Sequence, residues 1–152
     1  MNIAIIGYGT VGKNLYNEIE SLHPDIYDKY LHLDNRKRMY IEGPLPPYYT
    51  REYIKYDIAF ICVDTPLKDD KYLDTTEIDN AVNETEADIY VIKSTVHVGF
   101  CYLLSMSTGK QIVYSPEYYG GTPHCNNFDF NFTILGGNRE ACITVQQVLQ
   151  NC

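Results

Sequence analysis

The first residues carry the pattern that most constrains the fold. An apolar run, Ile3–Ile6, leads directly into a G-x-G-x-x-G sequence that starts at Gly7 and ends at Gly12. Behind it, apolar residues recur at the spacing of one helix face, at Val11, Leu15, Ile19 and Leu22. A strand, a glycine turn and a helix in this order are typical of the first part of a dinucleotide-binding unit.

Each glycine of this turn has a separate expected role. Gly7 permits the tight turn, Gly9 lets the backbone approach a pyrophosphate, and Gly12 lets the helix pack closely on the strand. The free N–H groups at the helix N-terminus attract the phosphate charge. We therefore predict that residues of the turn bind a dinucleotide: Gly7, Gly9, Thr10, Val11 and Gly12. The alternative is a glycine turn with only a structural role.

A second apolar stretch, residues 30–33, is predicted to form the next strand and ends in Asp34. A carboxylate at the end of that strand would accept hydrogen bonds from the adenosine ribose hydroxyls. Three cations follow at residues 36–38, and such a cluster could bind the 2′-phosphate of NADP. Because Asp34 would repel that phosphate, we predict NAD rather than NADP and interpret the cations as a solvated loop.

Composition excludes several classes of protein. The chain has 152 residues, the usual size of one domain, and we treat residues 1–152 as a single domain. Its net charge of −8 argues against a nucleic-acid partner, because the phosphate backbone carries the same sign of charge. We see no apolar run of membrane-span length, no signal-peptide pattern and no C-x-x-C pair among the five cysteines. We therefore predict a cytoplasmic protein with no membrane contact and assign no metal site.

Strand and helix patterns alternate along the rest of the chain. Apolar runs at residues 58–63, 89–92, 112–114 and 132–135 are predicted strands, and helices are predicted from about residue 76, around residues 100–106 and after residue 138. This alternation predicts a Rossmann-like, three-layer α/β domain with a mainly parallel sheet. The segment between strands 2 and 4 is predicted to be abbreviated, with a short strand at 48–50 and a helical turn at 51–55.

Polar residues follow the predicted strands where the strands end. They are Asp64-Thr65-Pro66, Ser94-Thr95 and Ser115-Pro116-Glu117. In a parallel sheet, ligands bind beyond the carboxyl ends of the strands. Each segment alone is also a good turn former, so a purely structural role is the alternative for each. Together with the glycine turn they predict one site at one edge of the sheet.

At this point the chain resembles the nucleotide-sugar 6-dehydrogenases, of the UDP-glucose and GDP-mannose dehydrogenase kind. The resemblance rests on motifs in the family's order: the glycine turn, Cys62-Val63-Asp64-Thr65-Pro66, Lys93-Ser94-Thr95-Val96, Ser115-Pro116-Glu117-Tyr118 and Ile134-Leu135-Gly136-Gly137. It implies that NAD lies along the glycine turn and Asp34, and that the cofactor and active-site cleft is lined by Val63, Thr65, Pro66, Ser94 and Thr95. It also implies a catalytic pair, Glu117 and Thr95, in which Glu117 lies beside the sugar and helps to activate water.

The departures from this family limit what is expected of the chain. Relatives carry a second acid after Glu117, whereas this sequence has Tyr118-Tyr119-Gly120-Gly121-Thr122-Pro123. Relatives also continue into a connecting helix and a second domain that supplies a Lys, an Asn and the catalytic Cys. We therefore expect the NAD-binding half of a UDP-glucose 6-dehydrogenase-like oxidoreductase, inactive alone and completed by a partner chain or a C-terminal domain. The alternative is a nucleotide-binding module without turnover.

Cys125, beside His124, is the cysteine with the most reactive setting in this sequence.

Overall fold

The computed structural model describes residues 1–29, 39–40, 54–68, 71–117 and 132–150. Along the chain, strand β1 (Ile3–Ile6) is followed by helix α1 (Thr10–Ile19), a 3₁₀ turn (Glu20–Leu22) and β2 (Asp25–Tyr27). Then come β3 (Met39–Tyr40), β4 (Lys55–Ile61), β5 (Leu67–Lys68), β6 (Tyr72–Leu73), α2 (Thr76–Glu84), β7 (Glu86–Ile92), α3 (Phe100–Thr108), β8 (Gln111–Tyr114), β9 (Gly136–Gly137) and α4 (Arg139–Gln150).

The described strands form a seven-stranded sheet in the order β3-β2-β1-β4-β7-β8-β9. Every neighbouring pair is parallel except β8 and β9, which are antiparallel. β5 and β6 form a separate two-stranded hairpin. This arrangement confirms the predicted Rossmann-like α/β fold with a mainly parallel sheet.

Helices cover both faces of this sheet. On one face, Leu15 and Ile19 of α1 and Val145 and Val148 of α4 pack against β1, β4 and β7. The opposite face buries residues of α2 and α3 against the same strands: Ile78, Ala81, Val82 and Leu104. The central strands are apolar on both faces, as the continuous run in β4 predicts. None of the helices in the described ranges is long and apolar enough to cross a membrane.

The position of the second strand differs from the prediction. The strand that pairs with β1 is Asp25–Tyr27, earlier in the chain than the predicted stretch at residues 30–33. Asp25–Tyr27 becomes a strand through its pairing with β1, because strand preference depends on the packing partner. The predicted strand at residues 30–33, Asp34 and the cations at 36–38 lie outside the described residues. Residues 48–53 also lie outside them, and Lys55 begins β4 rather than ending a helical turn.

The last strand also differs from the prediction. Residues 132–135, predicted as a strand, have no strand conformation. The strand that closes this edge of the sheet is instead Gly136–Gly137, which pairs with Tyr114 and Val113 of β8. A Cβ atom added to Gly137 would lie 2.8 Å from the carbonyl oxygen of Ile112, so the close approach of β9 to β8 requires glycine there.

The strand order places the glycine turn at the point where the sheet changes direction. The strand after β1 in sequence, β2, lies on one side of it, and β4 lies on the other. Ligands of such sheets bind at this switch point, beyond the carboxyl ends of the strands. The ends are level, because each following residue donates a backbone hydrogen bond to the neighbouring strand: Gly7 N–H to Tyr27, Cys62 N–H to Ile6, Lys93 N–H to Ile61 and Ser115 N–H to Ile92, at 2.7–2.9 Å.

Candidate functional site

The fold itself requires two of the three glycines in the turn after β1. Gly7 has a φ of +92°, and a Cβ atom there would lie 2.5 Å from the carbonyl oxygen of Cys62. A Cβ atom on Gly12 would lie 2.0 Å from the carbonyl oxygen of Gly7. Neither position has room for a side chain, so α1 can approach β1 and β4 closely only with glycine at both.

Gly9 is different, because nothing in the described protein occupies the space beside it. Its φ of −71° suits any residue, and a Cβ atom there would meet no protein atom within 4 Å. α1 begins at the next residue with no side-chain cap and no acid in its first turn. The open space and the uncapped backbone N–H groups of the helix therefore fit an approaching phosphate group.

An acid that we did not predict lies beside this turn. Asp28 follows β2 directly, and its Oδ2 accepts a hydrogen bond of 2.6 Å from the backbone N–H of Tyr8. Asp28 thus follows the strand that pairs with β1, whereas Asp34, the acid that we predicted after the second strand, lies outside the described residues. The signal in the sequence is the short apolar pair Ile26-Tyr27 directly before this acid, but the longer apolar run at residues 30–33 has the stronger strand pattern.

A cavity of about 220 Å³ opens at this edge of the sheet. Its walls contain eight of the predicted site residues: Gly9, Thr10, Val11, Val63, Thr65, Ser94, Thr95 and Glu117. They also contain Asp64, from the polar segment predicted after the strand, and two residues to which we assigned no site role, Cys62 and Lys93. Gly7, Gly12 and Pro66 do not line it; the carbonyl oxygen of Pro66 instead accepts the N–H of Asp74 at 2.7 Å. The structure thus brings the glycine turn and the ends of β4, β7 and β8 to one cavity.

Hydrogen bonds join the loops that follow β4 and β7. The Thr65 hydroxyl donates to the carbonyl oxygen of Thr95 at 2.8 Å, and the Ser94 hydroxyl donates to that of Val63 at 2.7 Å. Both hydroxyl protons are therefore used by the fold, and a ligand can meet these oxygens only as acceptors. The two bonds fix the width of the cavity wall between the strands.

A buried ion pair forms the wall at the ends of β7 and β8. The Lys93 ammonium contacts Oε1 of Glu117 and lies 3.4 Å from the Ser115 hydroxyl oxygen. The Lys93 side chain is only 1% exposed, and that of Glu117 is 21% exposed. Sequence reasoning missed Lys93 because a lysine after a strand is usually solvated; its partner comes from the next strand along the sheet.

Two cysteine thiols of the described chain have raised pKa values. Burial raises the pKa of Cys62 to about 12, an effect that Lys93 opposes and Glu117 strengthens. Burial also raises the pKa of Cys101 to about 11. Both thiols are therefore poor nucleophiles at neutral pH. Cys125 and Cys152 lie outside the described residues, and no cluster in the described part of the chain could hold a metal ion.

Solved dehydrogenase structures share this fold over 99% of the chain. UDP-D-ManNAc dehydrogenase from Pyrococcus horikoshii matches with a TM-score of 0.71 at 18% identity. UDP-glucose dehydrogenase from Pyrobaculum islandicum matches with a TM-score of 0.67 at 15% identity. A ternary complex of GDP-mannose dehydrogenase from Pseudomonas aeruginosa matches with a TM-score of 0.67 at 18% identity. The match covers 44% of each of those chains, so this chain spans less than half of their length.

No curated protein matches the sequence. A family model, however, matches residues 47–151, well over half of the chain; its description is "UDP-glucose/GDP-mannose dehydrogenase family, NAD binding domain". The match begins after the glycine turn, and the structural comparisons extend the likeness back to it. The chain therefore belongs to the UDP-glucose/GDP-mannose dehydrogenase family as its NAD-binding domain, and its cofactor is NAD.

Proposed function

We propose that this chain is the cofactor half of an oxidoreductase that oxidises the C6 alcohol of a nucleotide sugar, such as UDP-glucose. The supporting observation is the single cavity in which Gly9, Thr95 and Glu117 meet at the switch point of the sheet. The solved relatives are dehydrogenases of UDP- and GDP-linked sugars, and the proposal transfers that substrate class to this chain.

The adenosine half of NAD is assigned to the glycine turn and β2. The backbone N–H groups at the start of α1 would bind the pyrophosphate above Gly9, where the protein leaves open space. The Asp28 carboxylate would accept a hydrogen bond from a ribose hydroxyl in addition to the one that it accepts from the backbone N–H of Tyr8. This assignment replaces Asp34, which lies outside the described residues, as the acid beside the adenosine ribose.

The reacting half is assigned to the wall formed by the ends of β7 and β8. NAD supplies a hydride acceptor, and the protein supplies orientation and proton handling. Thr95 and Glu117 line the same cavity, and the Glu117 side chain is 21% exposed. We assign Glu117 the role of accepting a proton or hydrogen bond from the alcohol or from water.

The proposal also assigns the remaining chemistry to a part of the enzyme beyond this domain. Among the described residues, the buried thiol of Cys62 and the partly buried thiol of Cys101 have pKa values raised to about 12 and 11. A covalent step on a thiolate would therefore need a cysteine with a more polar setting, in a C-terminal domain or a partner chain. Free thiols at Cys62, Cys101 and Cys142 favour a cytoplasmic location.

Calorimetric titration with NAD and NADP at one salt concentration tests the cofactor assignment. We expect NAD to bind and NADP to bind at least about tenfold more weakly, because the Asp28 carboxylate repels a 2′-phosphate. Asp28→Asn should weaken NAD binding and reduce the difference in affinity between NAD and NADP. Asp25→Ala is the matched control, because it removes a buried acid that accepts a hydrogen bond of 3.0 Å from the Tyr56 hydroxyl. This substitution should lower stability without changing the preference for NAD over NADP. A preference of the unaltered chain for NADP would contradict the assignment.

A nucleotide-binding module without turnover is the second candidate. It is favoured by the burial of Cys62, the one cysteine among the described residues that line the cavity, because burial raises the pKa of its thiol to about 12. Such a module would bind NAD as tightly as the first candidate does. An assay of the complete protein with NAD and a nucleotide sugar separates the two candidates. The oxidoreductase would form NADH in that assay, and the binding module would not.

A further inference from the structure

Lys93 is a cation enclosed at the wall of the NAD cavity. Its side chain is 1% exposed, although lysine is almost never fully buried without a partner. The ammonium contacts two groups that follow β8, Oε1 of Glu117 and, at 3.4 Å, the Ser115 hydroxyl. Because an isolated buried charge is costly, Lys93 depends on Glu117, which is separated from it in sequence and adjacent to it in the sheet.

Glu117 meets Lys93 through one of its two carboxylate oxygens. That oxygen is Oε1, and within the described ranges Glu117 makes no other polar contact with the protein. Its side chain is 21% exposed and lines the cavity with Gly9 and Thr95. The second oxygen, Oε2, is therefore available to a group in the cavity that donates a hydrogen bond.

We propose that Lys93 is a positioning residue, which holds the Glu117 carboxylate against the cavity wall so that Oε2 can accept a hydrogen bond from a ligand hydroxyl or water. This inference rests on the proposed function for the identity of the ligand. The contact ties the segment that follows β8 to Lys93, the first residue after β7, so the carboxylate is held against the end of the sheet.

Cys62 provides a probe of this ion pair. It follows β4, lies level with Lys93 across the sheet ends and lines the same cavity. The Lys93 charge lowers the pKa of its thiol, and the Glu117 charge raises it. Removing the Glu117 charge should therefore raise the thiolate fraction of Cys62, and removing the Lys93 charge should lower it.

The experiment measures the alkylation rate of Cys62 by iodoacetamide in the folded chain, followed by peptide mass spectrometry. Glu117→Gln leaves an uncompensated cation and should speed alkylation by roughly threefold to tenfold. Lys93→Met leaves an uncompensated anion and should slow alkylation by a similar factor. Lys93→Arg keeps the ion pair and should stay within about twofold of the unaltered chain.

Lys110→Met is the control for a merely structural effect. Lys110 is another partly buried lysine, which donates to the carbonyl oxygen of Val82 rather than into the cavity. Its loss should lower stability without a change in Cys62 alkylation below the unfolding temperature. If Lys93→Met does not fold, Glu117→Gln and Lys93→Arg carry the test. Acceleration by both Lys93→Met and Glu117→Gln, as local unfolding would cause, overturns the proposal.

NAD titrations of the same variants separate this inference from the proposed function. Lys93→Met alone should weaken NAD binding by about threefold to tenfold. In a chain that already carries Glu117→Gln, adding Lys93→Met should not weaken NAD binding further. An independent loss in the double variant would mean that Lys93 does not act through Glu117 and would overturn the proposal. Failure of the unaltered chain to bind NAD would refute the proposed function, while the alkylation rates would still decide whether Lys93 positions Glu117.

Discussion

At the scale of single residues, Gly7, Gly9 and Gly12 look alike in the sequence but answer to different demands. Cβ atoms on Gly7 and Gly12 would lie 2.5 Å and 2.0 Å from backbone oxygens, so the fold excludes larger residues there. A Cβ atom on Gly9 would meet nothing within 4 Å. The packing of α1 therefore does not require glycine at position 9, and the open space beside it fits a bound ligand.

This difference predicts opposite outcomes for two substitutions. Gly9→Val should leave the melting temperature nearly unchanged and weaken NAD binding at least about tenfold, because the side chain occupies the space assigned to the pyrophosphate. Gly12→Ala should lower the free energy of unfolding by about 2 kcal/mol or more through the clash with Gly7. Thermal melts and calorimetry measure both. If Gly9→Val binds NAD normally, the glycine turn is not the cofactor site.

The buried thiol of Cys62 predicts how stability depends on alkaline pH. Burial raises its pKa from 9.0 to about 12, so between these values the unfolded thiol loses its proton while the folded thiol keeps it. The free energy of unfolding should therefore be unaffected by this group below pH 9 and fall above it, by at most about 1.4 kcal/mol per pH unit.

Urea unfolding at several pH values checks this dependence. Cys62→Ala should make the alkaline decline shallower without abolishing it, because burial also raises the pKa values of Cys101 and Tyr56. An identical slope in the variant and the unaltered chain would show that the Cys62 thiol ionises as easily in the folded state as in the unfolded state.

At the scale of elements, a lysine side chain joins the end of α2 to the sheet. The Lys110 ammonium donates to the carbonyl oxygen of Val82, one of the last carbonyl groups of α2, and lies 4.7 Å from the centre of the Tyr90 ring. These carbonyl groups have no partner within the helix, and the helix dipole favours a cation there.

Removing this contact should destabilise the domain without affecting the cofactor. Lys110→Met is expected to cost about 1–2 kcal/mol in urea unfolding and to leave NAD affinity unchanged. The matched control is Lys55→Met. Lys55 pairs with Asp88 at 2.6 Å, but both side chains are more than half exposed, so no measurable loss is expected. Equal losses from the two substitutions would show that the contact with α2 contributes nothing specific.

The elements also show where sequence patterns are sufficient and where they fail. β1, β4, β7 and β8 were predictable because central parallel strands are continuous apolar runs, and α1 was predictable from its apolar face. β2 was misplaced because three residues carry too little pattern to compete with a longer run nearby. β9 consists of two glycines, which have low strand preference and become a strand only through pairing with β8.

The candidate site was predictable to a similar degree. Residues at the ends of the long strands were found, because their position follows from the strands themselves. Asp28 was missed together with the short strand before it. Lys93 was treated only as part of a motif, since its burial depends on an ion pair with Glu117 that no local pattern reveals. Contacts between residues distant in sequence therefore account for most of what was missed.

At the scale of the whole molecule, the sheet order gathers the ends of separate strands around one cavity, while the matched dehydrogenases have more than twice this length. We therefore expect the isolated chain to bind NAD but to form no sustained NADH with UDP-glucose, because the described cavity offers a covalent step only the Cys62 thiol, which is buried with its pKa raised to about 12. Absorbance at 340 nm measures this directly. Sustained NADH formation that is lost in Cys125→Ser would instead make this chain a complete enzyme.

The hydrogen bond between Asp28 and Tyr8 constrains how cofactor preference could evolve or be engineered. The carboxylate proposed to meet the ribose also fixes the backbone of the glycine turn, at 2.6 Å from the Tyr8 N–H. Replacing Asp28 with a cationic residue, so that the site can bind a 2′-phosphate, would remove the hydrogen-bond acceptor of the Tyr8 N–H. The glycine turn, which must bind the pyrophosphate, would then be less rigidly held. A variant adapted to NADP would therefore need a second substitution that restores an acceptor for Tyr8, and single-residue libraries at position 28 should return weakened binders rather than switched ones.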